Sequence, residues 1–527
     1  MQRLPVGVQS FEPIRTDNYC YIDKTKVIHE LLTRSGRAVI LSRPRRFGKS
    51  LLCSTLKAIF EGKRDLFHGL AIDELEWDWH EYPVIYIDLN SGDYLKGYSE
   101  LESTLSYAFQ ANATKYGVSV VNGSFSTRLA TLISDISRKY DSRVVVIVDE
   151  YDKPLLNTME MPELHLELRS ALKGFYSVLK SSDEYLKFSF LTGVTKFAQV
   201  SIFSDLNNLD DITLNPKYAD ICGITQNELL ATFAEEINIC AENNQLSREA
   251  YLDKVKHFYN GYRFTRKEFT VYNTFGLLNH FLNEGEFNPY WYETGTPTFL
   301  INLVKNQHLN LLDLEHEMVD SLTLQRFDVA NMRALPILYQ SGYLTIIDYD
   351  SEPMLYTLGY PNDEVRSAFS QSLLEHYYEV SGGDMNAFVA TIPRALMDGN
   401  VDKAIGALVT LFAGIPYDIQ IPRETYYQSM IHLSLRMLGL RIGSEVCVAA
   451  GRIDSLLETR KFVYCFEFKL RREDSVIIPT VQDALNQIDE KDYLTPWNGS
   501  GKKLFKVGIV FDEGTRNITD WAFTESK

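Results

Sequence analysis

Long apolar runs are missing from this 527-residue chain: none approaches the ~18–20 residues that a membrane-spanning helix needs. The opening residues, Met1-Gln2-Arg3-Leu4-Pro5-Val6-Gly7, lack the apolar core of a secretion signal. Cysteine is scarce. The six that occur (Cys20, Cys53, Cys222, Cys240, Cys447 and Cys465) lie far apart with no C-x-x-C pair, which argues against a structural zinc site and suits a reducing compartment. The ten histidines are equally scattered, with no H-E-x-x-H. Neither an internal repeat nor a low-complexity linker is visible. These absences lead us to expect a cytoplasmic protein with no membrane partner.

Positive charge is also in short supply, at 53 Lys and Arg against 70 Asp and Glu, a net −17. The surface as a whole is therefore not built to attract nucleic acid. The deficit is uneven, however. From Arg423 to the end the two signs are equal, fifteen each, so the acidic excess lies in residues 1–422. A neutral C-terminal segment can still present a local basic face to a phosphate backbone.

The chain is too long for one core, and two to four domains are expected. Residues 1–225 alternate short apolar runs (Ala38–Leu41, Val84–Leu89, Val144–Val148, Phe188–Leu191) with helix-length segments. That pattern indicates a parallel sheet with helices on both faces. Residues 226–400 read as a mostly helical middle or lid region, broken by turns at Asn260-Gly261, Gly295-Thr296-Pro297 and Pro361-Asn362. In residues 401–527 an amphipathic stretch, Tyr426–Leu440, precedes strand-like runs at Glu445–Ala449, Phe462–Leu470 and Lys506–Phe511.

Between the run ending at Leu41 and a helix-like segment starting at Leu51 stands Ser42-Arg43-Pro44-Arg45-Arg46-Phe47-Gly48-Lys49-Ser50. Gly48-Lys49-Ser50 is the second half of a phosphate-binding loop in its strand–loop–helix setting. Backbone N–H groups at a helix start point at a phosphate, Lys49 adds a fixed charge, and the Ser50 hydroxyl can hold Mg²⁺. The first half departs from G-x-x-x-x-G-K-[ST], because Arg43 stands where glycine is expected. The arginines 43, 45 and 46 either form a solvated basic loop or place at least one guanidinium on the triphosphate. The nucleotide-binding segment would thus run from Arg43 through Phe47 to Leu51. A carboxylate-ended strand, Val144-Val145-Val146-Ile147-Val148-Asp149-Glu150, supplies the second part. Asp149 would hold Mg²⁺ through water, and Glu150 would orient and polarise the attacking water. Thr192 or Thr195, after the fourth apolar run, would sense the γ-phosphate or merely end the strand.

These segments, with Leu4-Pro5-Val6-Gly7, Tyr21-Ile22-Asp23-Lys24-Thr25 and Val148-Asp149-Glu150-Tyr151-Asp152-Lys153-Pro154, resemble the bacterial AAA-ATPase-like family. The resemblance continues through Tyr259-Asn260-Gly261-Tyr262, Tyr292-Glu293-Thr294-Gly295-Thr296-Pro297 and Gln340-Ser341-Gly342-Tyr343-Leu344, and so covers most of the chain. In that family an arginine-bearing loop is the usual form. The resemblance implies ATP and Mg²⁺ as ligands, and Tyr21 to Thr25 as a segment flanking the base. Such ATPases commonly take an arginine from a neighbouring subunit, which allows a homo-oligomer.

In the C-terminal region, Phe462-Val463-Tyr464-Cys465-Phe466-Glu467-Phe468-Lys469-Leu470 alternates with period two. Val463, Cys465, Glu467 and Lys469 share one face, and the aromatic residues share the other. Alone this is an amphipathic strand with an exposed acid and base. Gly451-Arg452-Ile453-Asp454 on the preceding strand changes that reading: Asp454 and Glu467 converge on one or two divalent cations, with Lys469 beside them to orient water or stabilise charge on phosphate. Gln487 would close over the site from a helix. The D…E-x-K…Q order resembles the PD-(D/E)XK nuclease superfamily over about residues 414–520, where Glu424 matches an acidic position. That resemblance implies Mg²⁺ or Mn²⁺ and a nucleic-acid substrate, DNA favoured over RNA.

The expected architecture is α/β throughout: a P-loop NTPase parallel sheet with helices on both faces, a helical middle region, and a C-terminal α/β restriction-endonuclease-like domain. An ATPase coupled to a metal-dependent nuclease is the expected function. Its rival is a nucleotide-switched signalling or defence protein whose C-terminal fold binds without cutting.

Overall fold

The apolar run after Arg37 forms strand β1 (Ala38–Ser42), and those before Asn90, Glu150 and Val194 form β2 (Val84–Asp88), β3 (Val144–Asp149) and β4 (Leu186–Gly193). A short β5 (Leu209–Asp211) joins them in a five-stranded sheet ordered β2-β3-β4-β1-β5, parallel throughout. Every residue of β1 and β3 is buried, as a parallel strand covered on both faces requires. This computed structural model describes residues 2–196, 208–294, 298–307, 314, 316–325, 333–378, 391–413, 431, 442–448, 451–472 and 478–526.

The described residues fall into two compact units, Met1–Thr294 with His316–Glu364, and Gly295–Glu315 with Val365–Lys527. Residues 226–400 are thus shared between them. In the first unit, β4 lies between β1 and β3, and the register sets Ser42 level with Gly193 and Asp149 level with Thr192. The carboxyl ends of three strands therefore form one rim, the place where open α/β sheets bind ligands.

Helices Gln226–Thr232, Ala234–Asn243, Arg248–Tyr259 and Thr274–Leu282 close around Phe233, Ile237, Tyr251, Val255, Leu277 and Phe281. Three of the four starts are fixed by side-chain caps: Thr225 with Glu228 in a reciprocal box, Ser247, and Asn273. This first unit also carries a three-stranded antiparallel sheet, β6 (Met318–Asp320), β7 (Thr345–Asp350) and β8 (Leu355–Gly359), in the order β6-β8-β7. The reading of this region as mostly helical passed over it, because such short strands leave little periodic signal.

The second unit is built on a mixed sheet ordered β13-β12-β11-β10-β9, comprising β9 (Ile442–Val448), β10 (Gly451–Glu458), β11 (Phe462–Arg471), β12 (Lys503–Asp512) and β13 (Asn517–Ser526). Only β11 and β12 run parallel. Helix Val401–Ala413 covers one face, with Phe412 against Phe511, and helix Val481–Glu490 covers the other through Ile488. The central strand β11 is therefore buried on both sides, and Glu467 is not the exposed acid of an amphipathic strand. Tyr426–Leu440 as an amphipathic stretch, and Glu424, lie outside the described residues apart from Ile431.

Candidate active sites

Gly48 adopts φ +87, open to glycine at little cost, and starts helix Lys49–Phe60 at the rim beyond β1. Lys49 is almost fully buried, with Nζ 3.2 Å from the Pro44 carbonyl and 3.2 Å from Glu150 Oε1. The Ser50 hydroxyl lies beside the Asp149 carboxyl. Burial pushes the Asp149 carboxyl up to about 6; the nearby Ser50 hydroxyl opposes that shift and the charge of Glu150 adds to it. Asp149 Oδ1 is buried and without a hydrogen-bond partner. An orphaned carboxylate oxygen beside a hydroxyl is a donor set that suits Mg²⁺. Arg46 and Glu150 hold left-handed backbone, φ +67 and +54, which costs of order 1–3 kcal/mol for residues other than glycine. Both border the cleft.

That cleft, about 390 Å³, is lined by Lys49, Ser50, Leu51 and Glu150, and also by Arg45, Arg46, Lys153 and Asn90. The segment from Pro5 to Gln9 forms one wall. The structure thus brings together the predicted Gly48, Lys49, Ser50, Asp149 and Glu150. It adds Lys153 and Asn90, which the sequence reading gave no role: a lysine after acids, or an asparagine after a strand, reads as an ordinary solvated turn.

Arg43 is a correction. Its guanidinium turns away from the cleft and is fully buried, donating to the carbonyls of Ser42 (2.9 Å), Thr213 (2.9 Å) and Tyr218 (3.1 Å) and lying 4.3 Å over the Phe264 ring. It fastens the loop to the segment after β5 and is not among the residues that line the cleft. The Phe47 side chain likewise anchors the loop, packed edge-on against Tyr262 and Phe264, and Phe47 is not among the residues that line the cleft. Other anchors hold the loop by its carbonyls: Trp291 Nε1 donates to Arg45 O, Asn273 Nδ2 to Arg46 O and Gly223 N to Phe47 O.

Neither threonine lines the cleft. Thr192 Oγ1 donates to the Leu41 carbonyl and Thr195 Oγ1 to Asp152 Oδ2, and both are fully buried. Thr192 stands at the end of β4 and Thr195 just beyond it. Tyr21, Ile22 and Lys24 line a small apolar cavity that shares Pro5, Gly48, Leu51, Thr274 and Leu278 with the cleft. Asp23 is spent on Thr25 and on the Ala71 N–H, and Lys24 on Glu228 at 2.6 Å.

In the second unit Asp454 Oδ2 accepts from the Phe468 N–H at 3.0 Å, across the β10–β11 pairing, which brings it beside Glu467. Lys469 Nζ lies 3.0 Å from Glu467 Oε1 and 2.7 Å from Gln487 Oε1. Gly508 pairs with Glu467, and a Cβ there would meet the Val481 carbonyl at 2.9 Å. Its bareness lets the helix approach and delivers Gln487. The four predicted residues are therefore one constellation. Among the described residues no group of three or more His, Cys, Asp or Glu is placed to hold a metal ion. A cation here would take two carboxylates and fill its shell with water or phosphate oxygens, as Mg²⁺ commonly does.

Comparison with known proteins agrees with this geometry. Residues 5–203 match the family described as "Predicted AAA-ATPase", and residues 422–521 match the PD-(D/E)XK nuclease superfamily. Over 526 residues the chain is 35% identical to an uncharacterized protein in the vnfD 5′ region of Azotobacter chroococcum mcd 1, covering 98% of each. The chain belongs to this AAA-ATPase-like family, with a C-terminal PD-(D/E)XK nuclease superfamily region. No helix among the described residues is long and apolar enough to cross a membrane.

Proposed function

We propose that this protein hydrolyses ATP in the Lys49–Glu150 cleft and cleaves nucleic-acid phosphodiesters, DNA before RNA, at the Asp454–Glu467–Lys469 site, the nucleotide state of the first governing the second. The observation that carries the nuclease half is the chain of contacts from Glu467 through Lys469 to Gln487 with Asp454 alongside. A lysine so placed can orient water and neutralise charge growing on a phosphate.

At the first site, phosphate reaching Lys49 competes with Glu150 for the ammonium, and the released carboxylate is then free to polarise water. Ser50 and Asp149 would hold Mg²⁺, which when bound neutralises charge on the phosphates. At the second, Asp454 and Glu467 would hold Mg²⁺ or Mn²⁺. The buried, unpaired Cys20, Cys53, Cys222, Cys240 and Cys465 suit a cytoplasmic setting.

Purified full-length protein incubated with Mg²⁺ and labelled DNA or RNA tests the nuclease half. Cleavage lost in Asp454→Ala and Lys469→Ala supports it. A wild type that cuts no substrate with Mg²⁺ or Mn²⁺ favours the rival reading, a nucleotide-switched protein whose C-terminal unit binds without cutting.

A further inference from the structure

Four cationic side chains line the nucleotide cleft: Arg45, Arg46, Lys49 and Lys153. Lys49 is held by Glu150 and the Pro44 carbonyl. The Arg46 guanidinium lies 4.8 Å over the Phe275 ring. Arg45 is exposed, so water screens its charge. Lys153 differs from all three. It is partly buried, it follows Glu150 directly around the turn, and its own N–H bonds the Glu150 carbonyl at 3.0 Å. Among the described residues its ammonium has neither a hydrogen bond nor an ion pair. Burial, and then the nearby Arg45 charge, lower its proton affinity more than Glu150 and Asp152 restore it. A half-buried cation crowded by like charge is costly unless an anion completes the site.

Resting on the reading of this cleft as an ATP-hydrolysing site, we propose that Lys153 is the cation that meets the γ-phosphoryl group as it transfers, supplied by the same chain as Lys49. In that step a water oxygen bonds to the γ-phosphorus while the bond to the bridging oxygen breaks, its electron pair leaving with ADP. The water's proton passes to Glu150 and on to solvent, and the products are ADP and inorganic phosphate. Lys153 stays protonated throughout and offsets charge on the equatorial and leaving oxygens. Cations in this role are worth several orders of magnitude in rate when an arginine supplies them. A lysine in cis removes the need for a neighbouring subunit's arginine.

The test is steady-state hydrolysis beside the affinity for a fluorescent ATP analogue, in wild type, Lys153→Met and Lys153→Arg. We expect Lys153→Met to lose about a hundredfold or more in kcat, with nucleotide affinity changed less than about threefold and much of the loss recovered by Lys153→Arg. Lys153→Gln replaces the methionine variant if that fails to fold. An equimolar mixture of Lys49→Ala and Lys153→Met should stay inactive, because each chain must carry both cations. The proposal is overturned by a kcat within about threefold of wild type, by equal loss of ATP and ADP binding, or by activity regained in the mixture. A wild type that binds ATP without hydrolysing it overturns the reading of the cleft and this proposal together. A hydrolysing wild type with a fully active Lys153→Met overturns this proposal alone.

Discussion

Lys49 Nζ and Glu150 Oε1 lie 3.2 Å apart, so the cation suited to hold phosphate and the carboxylate suited to polarise water neutralise each other. On the proposed reading of the cleft, a phosphate reaching Lys49 competes with that pair. Glu150→Gln should therefore bind ATP as tightly as wild type or several-fold more tightly, yet hydrolyse it about a hundred- to a thousandfold more slowly. Lys49→Ala should lose affinity itself. A fluorescent-nucleotide titration beside a phosphate-release assay separates the two effects. Equal loss of affinity in both variants would contradict this division of labour.

Arg43 spends its guanidinium on holding the loop. Arg43→Met would leave the buried Thr213 carbonyl without the Arg43 donor and the Tyr218 carbonyl with only the longer Ile221 N–H bond (3.4 Å), and should cost about 3 kcal/mol or more. Arg43→Lys should rescue little, since a single ammonium cannot span three carbonyls and stack on Phe264. Denaturant unfolding followed in parallel with nucleotide affinity checks this. Loss of affinity without loss of stability would restore the phosphate role.

Glu364 is a buried carboxyl whose Oε1 accepts from the Trp291 N–H at 2.7 Å. Burial pushes it up to about 8 from 4.5; the Trp291 and Tyr292 N–H groups oppose the shift, and the charge of Glu293 adds to it. The folded chain thus keeps a proton that the unfolded chain releases above about 4.5. Its contribution to stability is complete below that pH and is lost as pH rises through about 8. Glu364→Gln keeps an acceptor for Trp291 and should flatten the decline, so that it is the more stable protein at pH 8 and above. Unfolding midpoints across pH 5–9 measure it; parallel curves for the two proteins would contradict it.

At the second site the variants should rank by distance from the chemistry. Glu467→Gln removes a cation ligand and should lower cleavage a thousandfold or more. Gln487→Ala acts through Lys469 and should cost roughly 10–100-fold, the scale for groups that orient others. Gly508→Val, which drives a side chain into the Val481 carbonyl, should resemble Gln487→Ala in rate and be less stable as well. Single-turnover cleavage and thermal unfolding of the same preparations test the order.

Much of this was legible in the sequence because buried parallel strands are continuous apolar runs. β1, β2, β3 and β4 stand where such runs occur, and the residues ending β1 and β3 bring Lys49, Asp149 and Glu150 together. β5 was not legible, being three residues long and carrying two aspartates, nor was β13, whose polar alternation on a sheet edge gives no run. Arg43 misled because its partners, Thr213 and Tyr218, are distant in sequence, and no local pattern says which way a guanidinium turns. Lys153 shows no role in the sequence, since only the folded cleft reveals that its ammonium lacks a partner among the described residues. The strands that carry Asp454 and Glu467 read as neighbours and are paired in the sheet, whereas the burial of Glu467 follows from helix Val481–Glu490, which a strand pattern cannot show.

The most direct test is cleavage of labelled DNA by the full chain with Mg²⁺, with and without ATP, in wild type, Lys49→Ala and Asp454→Ala. Two linked sites predict that wild-type cleavage changes with ATP, that Lys49→Ala cleaves at one fixed rate regardless of ATP, and that Asp454→Ala does not cleave at all. Cleavage by Asp454→Ala at the wild-type rate, or an identical ATP response in wild type and Lys49→Ala, would contradict it.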